Sequence, residues 1–478
     1  MESRHSRRYN TGERGVCTMI GVIIDHGPAD WQILQQNNGT AVVNISGHLI
    51  LPAECQIVVP AVSLRIVRED SGMDVLPWQE AQLEENGCWK MQLCIPTGGL
   101  YRLESCAHEK GANALEWALR GDMRYHLGVG DLYVIAGQSN SAGYGKDPFY
   151  DPPELGVHLF RNSMRWDLAA HPMNDSTDTV HPVNQEGANP GASPYLAFAK
   201  TLHRELGYPI GLLQTSLGGS PLSRWNPEEN GDLYRSMIEV ICSQGGSIRG
   251  ILWYQGCSDT GPQECTTYEQ RFERVVEQLR TETGEETPWL TIQLNRQLLW
   301  AEGESVDPGW GIIRDAQRRC ARNIPRVSIV PAIDCGLSDG IHNSAAANVV
   351  LGERLAAAAL RDIYGRTYGS AAPDLEKAEF DEEGNVVLHF SHVAGRLYAF
   401  DSCKIEQNAF SLWDENHNPV AVKQMELAGD RIILHPAESL GSCCTAAAGW
   451  QMEPPCDMPV DFASHLPILS FYDVRVCR

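Results

Sequence analysis

Apolar residues recur along this chain at two periods, and the change between them divides it. Between residues 19 and 128 the period is two. Val62, Leu64 and Ile66 face one way with Ser63, Arg65 and Val67 opposite, and Met91, Leu93 and Ile95 repeat the alternation, the pattern of half-buried strands. Asn38-Gly39, Asn86-Gly87 and Gly98-Gly99 mark turns between such runs, so an N-terminal β-sandwich module is expected over 19–128. From 129 to 368, apolar runs of strand length at 132–136, 209–215, 248–254, 289–294 and 327–333 alternate with helical periods. Tyr195, Phe198, Ala199, Leu202 and Leu206 mark the first helix, with Ser193 as N-cap, Pro194 as first helical residue and Gly207 as stop. Tyr268, Phe272, Val275, Val276 and Leu279 mark a second, and 312–320 and 344–361 two more. Parallel strands joined by helices form a three-layer α/β/α domain whose loops gather at one edge of the sheet. Short strands at 386–390, 397–400 and 431–434 predict a β-rich C-terminal module over 369–478, sandwich-like as at the N-terminus.

The segment 144–192 interrupts the α/β alternation with Pro, Asn, His, Asp and aromatic residues. Loops that long in a compact domain are functional or disordered. Its place after residue 143 makes it a candidate wall of a site, with Trp166, His171 and His181 as candidate liners, against ordinary loop packing for each. Residues 1–18 are basic and polar and read as a mobile tail.

Charge and cysteine content narrow the function. The 478 residues carry a net charge of -23, which argues against nucleic acid, where clustered Lys and Arg must displace counterions, and against an anionic membrane surface. The 15 cysteines are scattered, without a Cys-x-x-Cys pair or zinc-site spacing. No secretory signal is evident, so a cytoplasmic setting with free thiols is expected.

Four stretches carry chemistry. Ser139 follows the 132–136 strand after Gly137, at the carboxyl end of a strand, where reacting groups of α/β sheets sit. Gly218 and Gly219 end the next strand in a turn whose backbone N–H groups can approach a ligand, as in an oxyanion hole. Gln255 ends the 248–254 strand, where its amide could add a donor. Asp339 and His342, three apart in a turn, allow the carboxylate to fix the imidazole tautomer of a general base. Each stretch alone also fits a plain turn. Gly336-x-Ser338-x-Gly340 imitates a nucleophile elbow, but the histidines after it, such as His389 and His392, fall in the C-terminal module, which disfavours Ser338.

Taken in order, Gly137-Gln138-Ser139-Asn140, Gly218-Gly219-Ser220 with Trp225, Trp253-Tyr254-Gln255-Gly256 and Asp339-x-x-His342 resemble the sialate O-acetylesterase-like branch of the SGNH hydrolases, a family of carbohydrate esterases. Residues 193–200 and 31–36 extend the resemblance over most of the chain. It implies an SGNH-type fold with Ser139 as nucleophile, His342 as base and then acid, and Asp339 as its partner. It also implies an oxyanion hole of the Ser139 and Gly219 (or Gly218) N–H groups with the Gln255 side chain. The implied substrate is an acetylated mono- or oligosaccharide, with no cofactor and no metal. Gln138, Asn140, Arg224, Trp225, Trp166 and His181 are candidates for binding it, Arg224 through a sialic acid carboxylate or else committed to an ion pair. Two positions depart from the family: Cys257 replaces its glutamate after Gln255-Gly256, and Asn343 replaces the proline frequent after the histidine. Cys257 has no base paired with it and is set aside as a nucleophile. Sialic acid and acetylated xylan fragments both remain open as substrates. So do a lipase or thioesterase, and a non-catalytic carbohydrate-binding protein whose β modules do the work.

Overall fold

A strand covered on both faces needs apolar residues at every position. Leu132, Tyr133, Val134, Ile135 and Ala136 meet that condition, all wholly buried, at the end of the strand Leu119–Gly137. The structure is a computed structural model and describes residues 20–112, 118–187, 191–284, 286–298, 307–400 and 408–477. The basic segment 1–18 lies outside them. The chain divides into two compact units, Met1–Asp131 with Gly207–Gly211, and Leu132–Leu206 with Leu212–Arg478.

In the second unit the sheet runs in the order Trp166–Leu168, Val157–Phe160, residues 212–214, residues 132–137, Gly250–Tyr254, Trp289–Gln293 and Val327–Pro331. Residues 132–137 pair in parallel with Gly250–Tyr254 in a register that sets Gly137 opposite Tyr254. Gly250–Tyr254 pairs in parallel with Trp289–Gln293, and that strand with Val327–Pro331. The helices Tyr195–Leu206, Glu264–Thr283, Asp307–Asn323 and Ala345–Asp362 follow the expected periods. The fold is thus mixed α/β, with strand ends and loops delivering the polar residues.

One expectation needs correction, and two features add to the sequence reading. The segment 144–192 is not wholly irregular: Val157–Phe160 and Trp166–Leu168 pair as antiparallel strands at the sheet edge, too short for a period to show. A further helix, Asp232–Ser243, buries Leu233, Met237, Val240 and Ile241. In the first unit, Ser63 and Val67 are buried as fully as Leu64, because Pro60–Arg68 pairs on both sides and the Ser63 hydroxyl is satisfied by His108 Nε2 at 2.8 Å.

That first unit holds a sheet of Gly21–His26, Thr40–Ile50, Cys88–Pro96 and Gln82–Leu83. A second set joins Asp74–Glu80, Pro60–Arg68, Gly98–Glu109 and residues 119–130, and Val22, Ile45 and Leu93 share one apolar core with Leu64, Leu103 and Val129. Residues 374–477 form an eight-stranded sheet around Leu388, Phe410, Ile432 and Phe471. Leu397–Tyr398 pairs instead with Val460–Asp461.

Candidate active site

The site begins where residues 132–137 end. Gly137 has φ +119°, and a Cβ there would fall 2.3 Å from the Tyr254 carbonyl oxygen, so only glycine lets the two strands stay paired through this turn. The chain then enters the short helix Ser139–Ala142. As its first residue, Ser139 has an N–H with no acceptor inside the helix. The Ser139 hydroxyl lies 2.9 Å from His342 Nε2, and His342 Nδ1 lies 2.7 Å from Asp339 Oδ2. A carboxylate only accepts, so Nδ1 carries the proton and Nε2 is left to accept from the serine hydroxyl.

The loop carrying Asp339 and His342 joins the strand Val327–Pro331 to the helix Ala345–Asp362, which Ser344 caps by accepting from the Ala347 N–H. Asp339 also accepts from the backbone N–H groups of Ile341 and His342 at 2.9 and 2.8 Å. Burial pushes the Asp339 carboxyl up, but the bonds from the His342 ring and these two N–H groups outweigh it and hold the group below the usual carboxylate range. Asn140 clamps the same loop, donating to the Ile341 carbonyl at 3.2 Å and accepting from the Asn343 N–H at 2.9 Å. That second bond gives a reason for Asn343: a proline has no N–H to donate. The Asn343 side chain is wholly buried, donates to the Tyr254 hydroxyl at 3.2 Å and accepts from Asn295 at 2.5 Å.

Gly218 and Gly219 lie on a turn anchored by the Leu217 N–H bonding the Gly137 carbonyl at 3.0 Å. Gly219 is exposed with φ +62° and nothing within 4 Å of a Cβ position, while a Cβ on Gly218 would stand 2.5 Å from a Glu186 carboxylate oxygen. Tyr144 stacks on the His342 ring, centroids 4.5 Å apart at 27°, and its hydroxyl donates to Glu186 at 3.4 Å. Tyr144 and Glu186, both from the segment expected as a wall, were not singled out from sequence, because neither has a local motif.

Several candidates are committed elsewhere. Gln255 is wholly buried, and its amide nitrogen donates to Asp259 at 2.5 Å and to the Ser220 carbonyl at 3.3 Å, so its N–H groups are not turned to Ser139. Asp259, which sequence reasoning missed, also accepts from the Leu222 N–H and from Arg271; burial pushes its carboxyl up. Gln138 accepts from the Gly256 and Ser258 N–H groups at 3.0 and 3.3 Å, and with Asn140 it braces loops rather than facing a pocket. Arg224 forms a two-pronged pair with Asp232 and donates to the Val183 carbonyl, which leaves the ion-pair alternative. Trp225 is wholly buried, donates to the Ser220 hydroxyl at 3.0 Å and packs edge-on against Trp253. Trp166 donates to Gln244, His181 meets Glu239 at 3.4 Å, and His171 meets Asp151 at 3.1 Å, so the partners of these three bonds lie outside the line from Ser139 to Asp339. The Ser338 hydroxyl accepts from the Lys146 N–H, a loop contact. Cys257 is pushed up to about 12 by burial, which keeps it a thiol. Among the described residues no group of three or more His, Cys, Asp or Glu side chains could hold a metal ion, and no helix is long and apolar enough to cross a membrane.

Residues 129–361 match the family model described as carbohydrate esterase, sialic acid-specific acetylesterase. A probable carbohydrate esterase of Arabidopsis thaliana is 29% identical over 254 residues, covering 48% of this chain and 90% of its own length. The sialate O-acetylesterase of Homo sapiens is 26% identical over 230 residues, 39% of this chain, and the match spans only 43% of that protein. Among solved structures, a carbohydrate acetylesterase from Xanthomonas citri shares the fold with a TM-score of 0.63 at 21% identity, over 94% of this chain and 97% of its own.

Proposed function

We propose that this chain, whose residues 129–361 belong to the sialic acid-specific acetylesterase family of carbohydrate esterases, removes O-acetyl groups from sugars with Ser139 as its nucleophile. It is a carboxylic ester hydrolase, read as an SGNH domain over 129–368 with sandwich-like β modules at 19–128 and 369–478. The observation that supports the nucleophile is the continuous line of hydrogen bonds from the Ser139 hydroxyl through both nitrogens of His342 to Asp339.

The chemistry follows from that line. As the Ser139 oxygen attacks the acetyl carbonyl, its proton passes to His342 Nε2, and Asp339 stabilises the imidazolium. The carbonyl oxygen becomes an oxyanion, met by the N–H groups of Ser139 and Gly219. Gln255 stands outside this donor set, because Asp259 and Ser220 take its amide hydrogens. His342 then gives the proton to the departing sugar oxygen, leaving acetyl-Ser139. Water then attacks the acetyl carbonyl, giving its proton to the same nitrogen, which returns it to the Ser139 oxygen as the ester bond breaks and acetate leaves.

Replacing Ser139 with alanine tests the assignment against a chromogenic acetate ester. Turnover is expected to fall at least about a thousandfold with the fold retained. Turnover equal to that of the unaltered protein contradicts the reading.

A further inference from the structure

One carboxylate beside this site has no place in the proton path. Glu186 is half-buried, and its Oε1 accepts from the Tyr144 hydroxyl at 3.4 Å, Asn174 Nδ2 at 3.3 Å and the Ser176 hydroxyl at 3.4 Å. The other oxygen lies against the Gly218 backbone, 2.5 Å from where a Cβ would stand. All of these neighbours are neutral, so the negative charge is solvated by dipoles rather than cancelled by a cation. Burial pushes the carboxyl above its usual range, opposed by the nearby Gly218 backbone and the bonds from Tyr144 and Ser176. Lys146 lies over the Tyr144 ring 5.5 Å from its centroid, but it is exposed, where solvent and salt screen its charge.

The position couples Glu186 to the reacting centre on two sides. Tyr144 carries its hydroxyl to Glu186 while its ring covers His342, and Gly218 adjoins Gly219 on the turn beside Ser139. The three side-chain bonds to Oε1 are long for their kind, so a stronger donor can displace one of them. A sugar hydroxyl next to an acetylated carbon is such a donor. A sugar carboxylate in the same place meets a fixed negative charge, in a chain whose net charge of -23 repels anions as well.

We propose that Glu186 is a specificity-determining residue, accepting a hydrogen bond from a hydroxyl of an uncharged acetylated sugar and disfavouring sugars that carry a carboxylate. This rests on the Ser139 esterase reading and adds the substrate class. The test compares kcat/KM for acetate release from O-acetylated xylo-oligosaccharides and from O-acetylated sialic acid, in the full chain and its Glu186→Gln and Glu186→Asp variants. The unaltered protein is expected to favour the neutral sugar by about tenfold or more. Glu186→Gln should shrink that ratio about tenfold, mainly through KM on the neutral sugar and a gain on the sialate, and Glu186→Asp should restore most of it. A preference for the sialate in the unaltered protein overturns the proposal, and so does a ratio that Glu186→Gln leaves unchanged. If Glu186→Gln does not fold by circular dichroism, the ratio in the unaltered protein decides alone. Undiminished acetate release by Ser139→Ala would instead sink the esterase assignment, a separate outcome.

Discussion

Asp339 holds His342 from a side chain that is 44% exposed, unlike a buried triad acid. Water can therefore replace part of its support, and Asp339→Asn is expected to lower kcat by about tenfold to a thousandfold, less than Ser139→Ala, with KM for an acetate ester little changed. The same residue links the site to stability. Its folded pKa is depressed, so it stabilises the fold above the unfolded carboxylate pKa near 4 and loses that contribution as pH falls through the folded value. Thermal melts of the two proteins should differ at neutral pH and converge in acid; a constant difference across that range would disagree. Cys257, a thiol held unionised by burial, should be dispensable, with Cys257→Ala retaining turnover within a few-fold. At this scale the sequence was informative where partners are close in the chain, as with Asp339 and His342. It left direction open where no motif marks the partner, even one only four to eight residues away. Arg224 turns to Asp232, and the Gln255 amide is drawn away by Asp259, a carboxylate with no motif to announce it.

Elements fix the site through the two loops that Asn140 joins. Asn140→Ala removes one bond to the Ile341 carbonyl and one from the Asn343 N–H, which should cost about 1–3 kcal/mol and lower kcat by loosening His342. Denaturant unfolding and turnover measured together check this; lost stability with full activity would mean that the clamp does not orient the histidine. The buried parallel strands were legible because continuous apolar runs have few other uses in a chain this polar. The helix Asp232–Ser243 carried its signal in Leu233, Met237, Val240 and Ile241, yet no side chain caps its start to mark it. Val157–Phe160 and Trp166–Leu168 span four and three residues, below the length at which a period can be read.

Within the second unit, residues 369–478 share one compact body with the segment that carries Ser139. The wholly buried Arg314 ties them together, donating to the carbonyls of Leu294 and Asn295 on one side and of Gly449 and Gln451 on the other. Gln293 and Ser470 exchange a reciprocal pair of bonds at 2.9 Å. Arg314→Ala should therefore cost about 3–5 kcal/mol by leaving buried carbonyls unmet, and hydrogen exchange should rise in both segments at once. Exchange confined to 369–478 would show that the contact does not couple them. Such long-range ties, between residues more than a hundred positions apart, leave no local trace in a sequence.

The nucleophile itself can be marked. An aryl phosphonate ester that reacts with activated serines, followed by peptide mass mapping of the intact chain, is expected to leave one adduct, on Ser139, and none after His342→Ala. An adduct on Ser338 or another serine, or no reaction in a folded protein, would contradict the assignment of Ser139.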